Sequence, residues 1–404
     1  MRSHEERGDL KITSSLRIQI GLAFFAFILI GSNDGAVGVL IPSIQTHYNV
    51  NKATIGLLFL SATIGYLVAA FNSGLLVEKL GNRLFLILGV ITFLLSAATL
   101  SLMPPFLVVL LMLLPLGFGV AILDAGLNAY IAGLPRNTAL LNYLHAFYGA
   151  GALLGPIIAS TILAIRLGWN SVYVVWVGMS LLLLTGVALA FKDTTRQGVV
   201  KAEAKSNVLL TVLRIRIVWV VALFLLFYVG TEVSLGSWSY SFLTEERHGS
   251  TLIMGWVVSG YWAGLTLGRL VLARVAQRVG EKRLIQGCLA GIIVGVLLVW
   301  LAPGGAISAI GLCLTGFSLG PIYPTTIALM SRLVSSRLLP SAIGFLASLG
   351  SMGAALFPWL AGNLAQVIGL WSLLPYVITL TAIMLCLWIV LQARPQMIHN
   401  VTNH

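Results

Sequence analysis

The 404-residue chain is 58% hydrophobic and only 9% charged, with 24 Lys and Arg against 12 Asp and Glu, a net charge of +12. A mean hydropathy of +0.99 excludes a water-soluble fold, which could not cover so much apolar surface with so few charges. Twelve weakly charged runs, each long enough to cross a bilayer core, follow in chain order near 18 to 43, 54 to 77, 84 to 103, 105 to 133, 139 to 165, 171 to 191, 214 to 243, 252 to 277, 284 to 302, 306 to 331, 340 to 367 and 371 to 392.

The basic residues orient these spans. If the first span starts in the cytoplasm, Lys52, Arg166 and Arg247 are the only Lys or Arg in outward loops, and all the others of the 24 fall inside. That is the positive-inside pattern for an even number of spans with both termini cytoplasmic, in a multi-pass protein of the plasma (inner) membrane. It accounts for the +12 charge by topology and leaves no reason to invoke nucleic acid. Met1 to Leu16 is polar and no small-residue cleavage pattern follows, so the first span is expected to serve as its own signal anchor. Cys288, Cys313 and Cys386 lie in apolar runs without a CxxC or a nearby His, which points to structural thiols and to no metal or organic cofactor.

The polar stretch around 192 to 210 divides the chain into six spans on either side, predicting bundles over 1 to 191 and 211 to 404 joined by a cytoplasmic linker. The two halves repeat each other. Gly31-Ser32-Asn33 matches Gly230-Thr231-Glu232, Gly81 matches Gly280, Gly117-Phe118 matches Gly316-Phe317, and Gly151 with Pro156 matches Gly353 with Pro358, all at offsets of 199 to 202 residues. Ordered landmarks at a constant offset describe two parallel six-helix repeats with a substrate site at their interface.

The loop Gly74-Leu75-Leu76-Val77-Glu78-Lys79-Leu80-Gly81-Asn82-Arg83 resembles the cytoplasmic signature of the major facilitator superfamily, of the form GxLxDxxGxR, and Gly268-Arg269 through Arg274, Gly280 and Arg283 resembles its second-half copy. The resemblance covers the whole chain and implies an all-α integral membrane fold of twelve helices. Physically the loop suits a latch: Gly74 permits close helix approach, Gly81 a tight turn, and Glu78 with Arg83 can bridge helix ends, with Arg269 and Arg274 in the corresponding second-half gate. The bland alternative is that its basic residues only anchor the topology.

Three acids, Asp34, Asp124 and Glu232, sit deep inside apolar runs. A carboxylate near the bilayer midplane costs about 3 kcal/mol on insertion scales, so its presence there marks a functional site. Ile122 to Tyr130, Leu141 to Gly149, Tyr228 to Ser234 and Pro321 to Thr325 resemble the fourth, fifth, seventh and tenth spans of fucose:proton symporter-like transporters. That resemblance implies proton coupling and sugar binding at Asp34, within Gly31-Ser32-Asn33-Asp34-Gly35, and at Asp124.

The residues themselves point the same way. Asp124 and Asn128 are four apart on one helix face, and Asn142 and His145 three apart on another. The short connection from Leu134 to Thr138 makes these faces antiparallel neighbours, so His145 is expected to partner Asp124 where protonation can change during a cycle. Glu232 shares its span with Tyr228 and Trp238. Carboxylates, the amides of Asn33, Asn128 and Asn142, and the rings of Tyr148, Tyr228, Trp238, Tyr261 and Tyr323 are what a sugar needs, because its hydroxyls demand hydrogen bonds while its C–H faces stack on rings.

The reading is a proton-coupled secondary transporter for a sugar or similar small polar metabolite, working as a monomer in the lipid bilayer with protons as coupling ion and Asp34, Asp124, Glu232 and His145 carrying the coupling. Two alternatives stand beside it. Gly151 to Ser160 resembles the fifth-span motif of drug:proton antiporters, which would make the chain an efflux protein. A non-transporting receptor or scaffold would have no use for the three acids. An enzyme is not expected, because the spans hold no nucleophile or metal cluster and only His145 among the histidines.

Overall fold

The computed structural model describes residues 14–134, 137–191, 210–301, 305–335 and 337–393, nearly all of them helical. In hydrocarbon every backbone N–H and C=O must be satisfied within its own segment, which is why runs this apolar resolve into helices. The helices are α1 (Ser14–Tyr48), α2 (Lys52–Ile55), α3 (Leu57–Ser101), α4 (Phe106–Ala132), α5 (Asn137–Ala164) and α6 (Asn170–Ala190) in the first half. The second half holds α7 (Arg216–Ser241), α8 (Thr251–Val279), α9 (Glu281–Leu301), α10 (Gly305–Leu319), α11 (Ile322–Leu333), α12 (Leu339–Ile368) and α13 (Leu373–Gln392). The linker expected over 192 to 210 falls almost wholly outside the described residues.

Among the described residues, ten segments are long and apolar enough to cross a membrane by themselves. One of the ten, Lys52–Ser101, is two crossings. Helix α3 has 45 residues, about 68 Å of helix, more than twice a hydrocarbon core of about 30 Å. It folds back at Gly81, whose φ of 74° belongs to the left-handed region that favours glycine. Helix α8, of 29 residues, is a further crossing whose charge comes from Arg269, Arg274 and Arg278. Twelve crossings result, as the sequence predicts. The tenth is made of two pieces, α10 and α11, broken at Gly320-Pro321 because Pro321 supplies no N–H to continue the ladder.

The repeat seen in the sequence is a repeat of packing. A Cβ on Gly117 would lie 2.0 Å from the Ala62 carbonyl oxygen, and one on Gly316 would lie 2.1 Å from the Tyr261 carbonyl oxygen. The fourth span of each half therefore crosses the second at backbone contact, the close approach that small residues permit in membranes. Gly280, at φ 83°, turns the chain after α8 as Gly81 does within α3. Large apolar side chains such as Leu182, Leu189, Ile310 and Val367 stand exposed on the outside, where lipid would cover them.

The halves meet along two seams. In one, α5 lies on α8, where a Cβ on Gly149 would meet Thr266 and one on Gly255 would meet Ser160. In the other, the start of α3 lies on α12, where a Cβ on Gly56 would meet Trp359. The chain reverses near Lys52 at one end of the bundle and near Gly81 and Gly280 at the other; these are called here the Lys52 end and the basic end. At the Lys52 end the halves are tied directly. The Lys52 ammonium is 2.7 Å from Glu245, and its main-chain N–H donates to Gln366 Oε1 at 2.9 Å.

Candidate functional site

The first half contributes two carboxylates, each held by two donors. Helix α1 carries Asp34 to the middle of the bundle, where its Oδ2 accepts from the Tyr148 hydroxyl of α5 at 2.9 Å and its Oδ1 from the Asn33 amide at 3.2 Å. Helix α4 carries Asp124, whose Oδ2 accepts from the Tyr66 hydroxyl of α3 at 3.0 Å. The Asn128 amide, one turn along α4, donates to Asp124 Oδ1 at 2.9 Å. A carboxylate placed in a dry interior requires such partners, and charge-assisted bonds of this kind are the stronger ones.

The second half contributes an ion pair. Glu232 on α7 and Arg269 on α8 face each other, Glu232 Oε1 to Arg269 Nη2 at 3.4 Å, with side chains 13% and 32% exposed respectively. The Tyr261 hydroxyl donates to the main-chain carbonyl of Glu232 at 2.8 Å, tying α8 to α7 beside the pair. The rings of Tyr228 and Tyr323 lie 6.1 Å apart in the same region.

Between the halves lies a cavity of about 410 Å³. Its polar wall is built from both halves: Asn33, Asp34, Tyr66 and Tyr148 on one side, Glu232, Ser237, Trp262 and Tyr323 on the other. Carboxylates, an amide, hydroxyls and an indole face converge there, so a ligand with several hydroxyls and an apolar face would find donors, acceptors and a stacking surface together.

Several expected site residues are elsewhere. His145 makes no hydrogen bond to Asp124, to which Tyr66 donates instead, but it stands close enough to interact with that carboxylate electrostatically, exposed and edge-on to the Phe27 ring at 5.8 Å between centroids. Asn142 is likewise exposed and away from the cavity. Trp238 is buried and its indole N–H donates to the Pro358 carbonyl at 2.9 Å, so it fastens α7 to α12. Tyr261 is completely buried, with its hydroxyl spent on the backbone. Asp124 and Asn128 stand behind Tyr66, which lines the cavity in their stead.

The expected latch is also built differently. Gly74 and Glu78 are exposed, and Glu78 forms no ion pair with Arg83, whose Nη2 donates to the Ala188 carbonyl of α6 at 2.7 Å. Gly81 makes the predicted turn. Arg269 belongs to the interior pair with Glu232 rather than to a gate at the helix ends, and the side chain of Arg274 lies outside the described residues. Tyr66 and Ser237 were not singled out by the sequence. A lone Tyr in an apolar run or a Ser in a helix carries no signal by spacing alone, although Tyr66 could have been found by asking what satisfies Asp124.

A sequence profile of the Major Facilitator Superfamily matches residues 23–242 and again 225–402. The yeast protein "Bypass of stop codon protein 6" of Saccharomyces cerevisiae is 25% identical over 393 residues, covering 88% of this chain and 78% of that one. Among solved structures, the nucleoside transporter NupG superposes with a TM-score of 0.79 at 14% identity, covering 95% of this chain and all of that one. The E. coli fucose:proton symporter FucP superposes with a TM-score of 0.63 at 18% identity, over 95% of this chain and 100% of that one. Two profile matches that between them span nearly the whole chain, on a fold of two six-helix repeats enclosing a cavity, make this chain a member of the Major Facilitator Superfamily.

Proposed function

We propose that the chain is a proton-coupled symporter that moves a sugar or similar small polar metabolite by alternating access. The observation that carries this reading is one cavity between the halves with a carboxylate from each, Asp34 and Glu232, on its wall. Acids that can take up and release protons then share a chamber with the solute, and rocking of the halves would expose that chamber to one side at a time. The Lys52–Glu245 and Lys52–Gln366 contacts suit a state closed at the Lys52 end. Two carboxylates and an amide beside six aromatic rings favour a hydroxyl-rich solute over a lipophilic cation, which would call for aromatic rings around a single acid.

In proteoliposomes carrying an inwardly directed acid gradient, polyols that bind should accumulate above equilibrium, and a protonophore should abolish the excess. Accumulation that ignores the gradient would make the protein a uniporter. Solute expelled as protons enter would make it an antiporter.

We further propose that the basic end faces the cytoplasm of a plasma membrane, on the asymmetry of Lys and Arg. With Cys288, Cys313 and Cys386 replaced by Ala, Asn51→Cys and Gly249→Cys should react with an impermeant thiol reagent in intact cells. Gly81→Cys should react only after permeabilisation. Labelling of Gly81→Cys in intact cells would invert the orientation.

A further inference from the structure

The cavity does not stop at the acids. It continues toward the Lys52 end as a recess inside the first half, walled by α1, α3, α4 and α6 through Leu40, Ile44, Leu58, Val109, Leu113 and Leu116. Leu40 and Ile44 follow Asp34 by six and ten residues on α1, about 9 and 15 Å farther along the helix axis. Thr63 stands at the border with the polar wall, one turn from Tyr66. Beyond it the first-half lining is apolar except for Tyr173 of α6. On the second-half side Ser237, five residues beyond Glu232 on α7 and packed by its main chain against Gly38 of α1, borders the near part of the recess.

A free monosaccharide makes no use of such a space. Its hydroxyls would lie against methyl groups and lose their hydrogen bonds to water without replacement. Ordered water gains nothing either, because a water needs two or more polar partners. Protein interiors leave few voids of this kind, and an apolar one takes up apolar molecules.

We propose that the site takes a two-part solute, a glycoside whose polyol head lies between Asp34 and Glu232 and whose short alkyl or single-ring aglycone enters the recess toward Tyr173. This rests on the preceding reading only for the head; the aglycone is carried by the recess. The Tyr173 hydroxyl would accommodate one polar atom at the aglycone's far end.

The test is a chain-length series. Methyl, ethyl, propyl and butyl glycosides of glucose, galactose, mannose and fucose are titrated against the protein in lipid nanodiscs, with the free sugars alongside. For the head that binds, affinity should rise about fourfold per methylene, the factor for burying one CH2. Leu113→Trp, which fills the recess, should flatten that rise and leave the methyl glycoside unchanged. Ala62→Leu is a second filling variant should the first not fold.

A flat series in the unaltered protein overturns the proposal while leaving polyol transport standing. A rise that persists undiminished in a folded, filled variant reports partition into lipid and overturns it too. If no glycoside binds, the proposal falls, and whether polyol transport falls with it is decided separately by the acid-gradient experiment.

Discussion

Asp34→Asn is expected to abolish uphill accumulation while leaving exchange across the membrane intact. Asn keeps the size of Asp and one oxygen to accept from the Tyr148 hydroxyl, now at 2.9 Å from Asp34 Oδ2, but an amide cannot take up and release a proton. One proton moving down about 100 mV supplies about 2.3 kcal/mol, enough for about a fiftyfold gradient of a neutral solute. The unaltered protein should approach that ratio, and the variant should stay near equality inside and out. Counterflow of preloaded substrate measures the exchange, and acid-driven uptake in the same vesicles measures the coupling. Full uphill accumulation by the variant would remove Asp34 from the coupling role. Asp124→Asn makes an informative comparison. Both oxygens of Asp124 accept, from Tyr66 and Asn128, as both of Asp34 do, from Tyr148 and Asn33, so an amide at either position leaves one donor badly matched, and at Asp124 the side chain disturbed would be Tyr66.

How much of this was legible in the sequence depended on whether the cause was local. The turn at Gly81 was readable because only a left-handed conformation reverses the chain so tightly there, and glycine adopts it at low cost. The paired landmarks Gly117 and Gly316 were readable because a constant offset survives when each copy does the same packing. Span boundaries agree to within a few residues, since apolar length and helix length are set by the same bilayer. The break between α10 and α11 was not expected as a break, because a Pro within an apolar run is compatible with a kinked but continuous helix.

The site was legible in its acids and less so in its partners. A buried carboxylate announces itself by its cost, so Asp34, Asp124 and Glu232 stand out from any apolar run. Which side chain answers each one is decided by how helices far apart in sequence rotate against one another, and no spacing rule carries that. His145 on the adjacent helix stays within electrostatic reach of Asp124, as the short α4–α5 connection implies, but the hydrogen bond comes from Tyr66, 58 residues away. Arg269 was assigned to a loop motif because it follows Gly268, but one face of α8 turns it inward to Glu232, 37 residues away. The Lys52–Glu245 tie, 193 residues apart, links the halves and leaves no trace in either segment alone.

The Glu232–Arg269 pair gives the second large effect. Removing one partner of a buried ion pair costs about 3 to 5 kcal/mol, because the other charge is left without compensation. Arg269 is 32% exposed and the contact is 3.4 Å, so water screens part of that cost and about 2 kcal/mol is expected for Glu232→Gln or Arg269→Gln alone. The double variant has no orphaned charge and should regain most of the stability, giving a coupling energy above about 1 kcal/mol in a double-mutant cycle read by thermal unfolding in nanodiscs. Additive losses would mean that the pair contributes nothing as a pair. Transport then separates structure from function: Glu232 lies on the cavity wall, so the stable double variant should still fail to transport if its carboxylate is used during the cycle. Recovery of both stability and transport in the double variant would reduce the pair to a brace between α7 and α8.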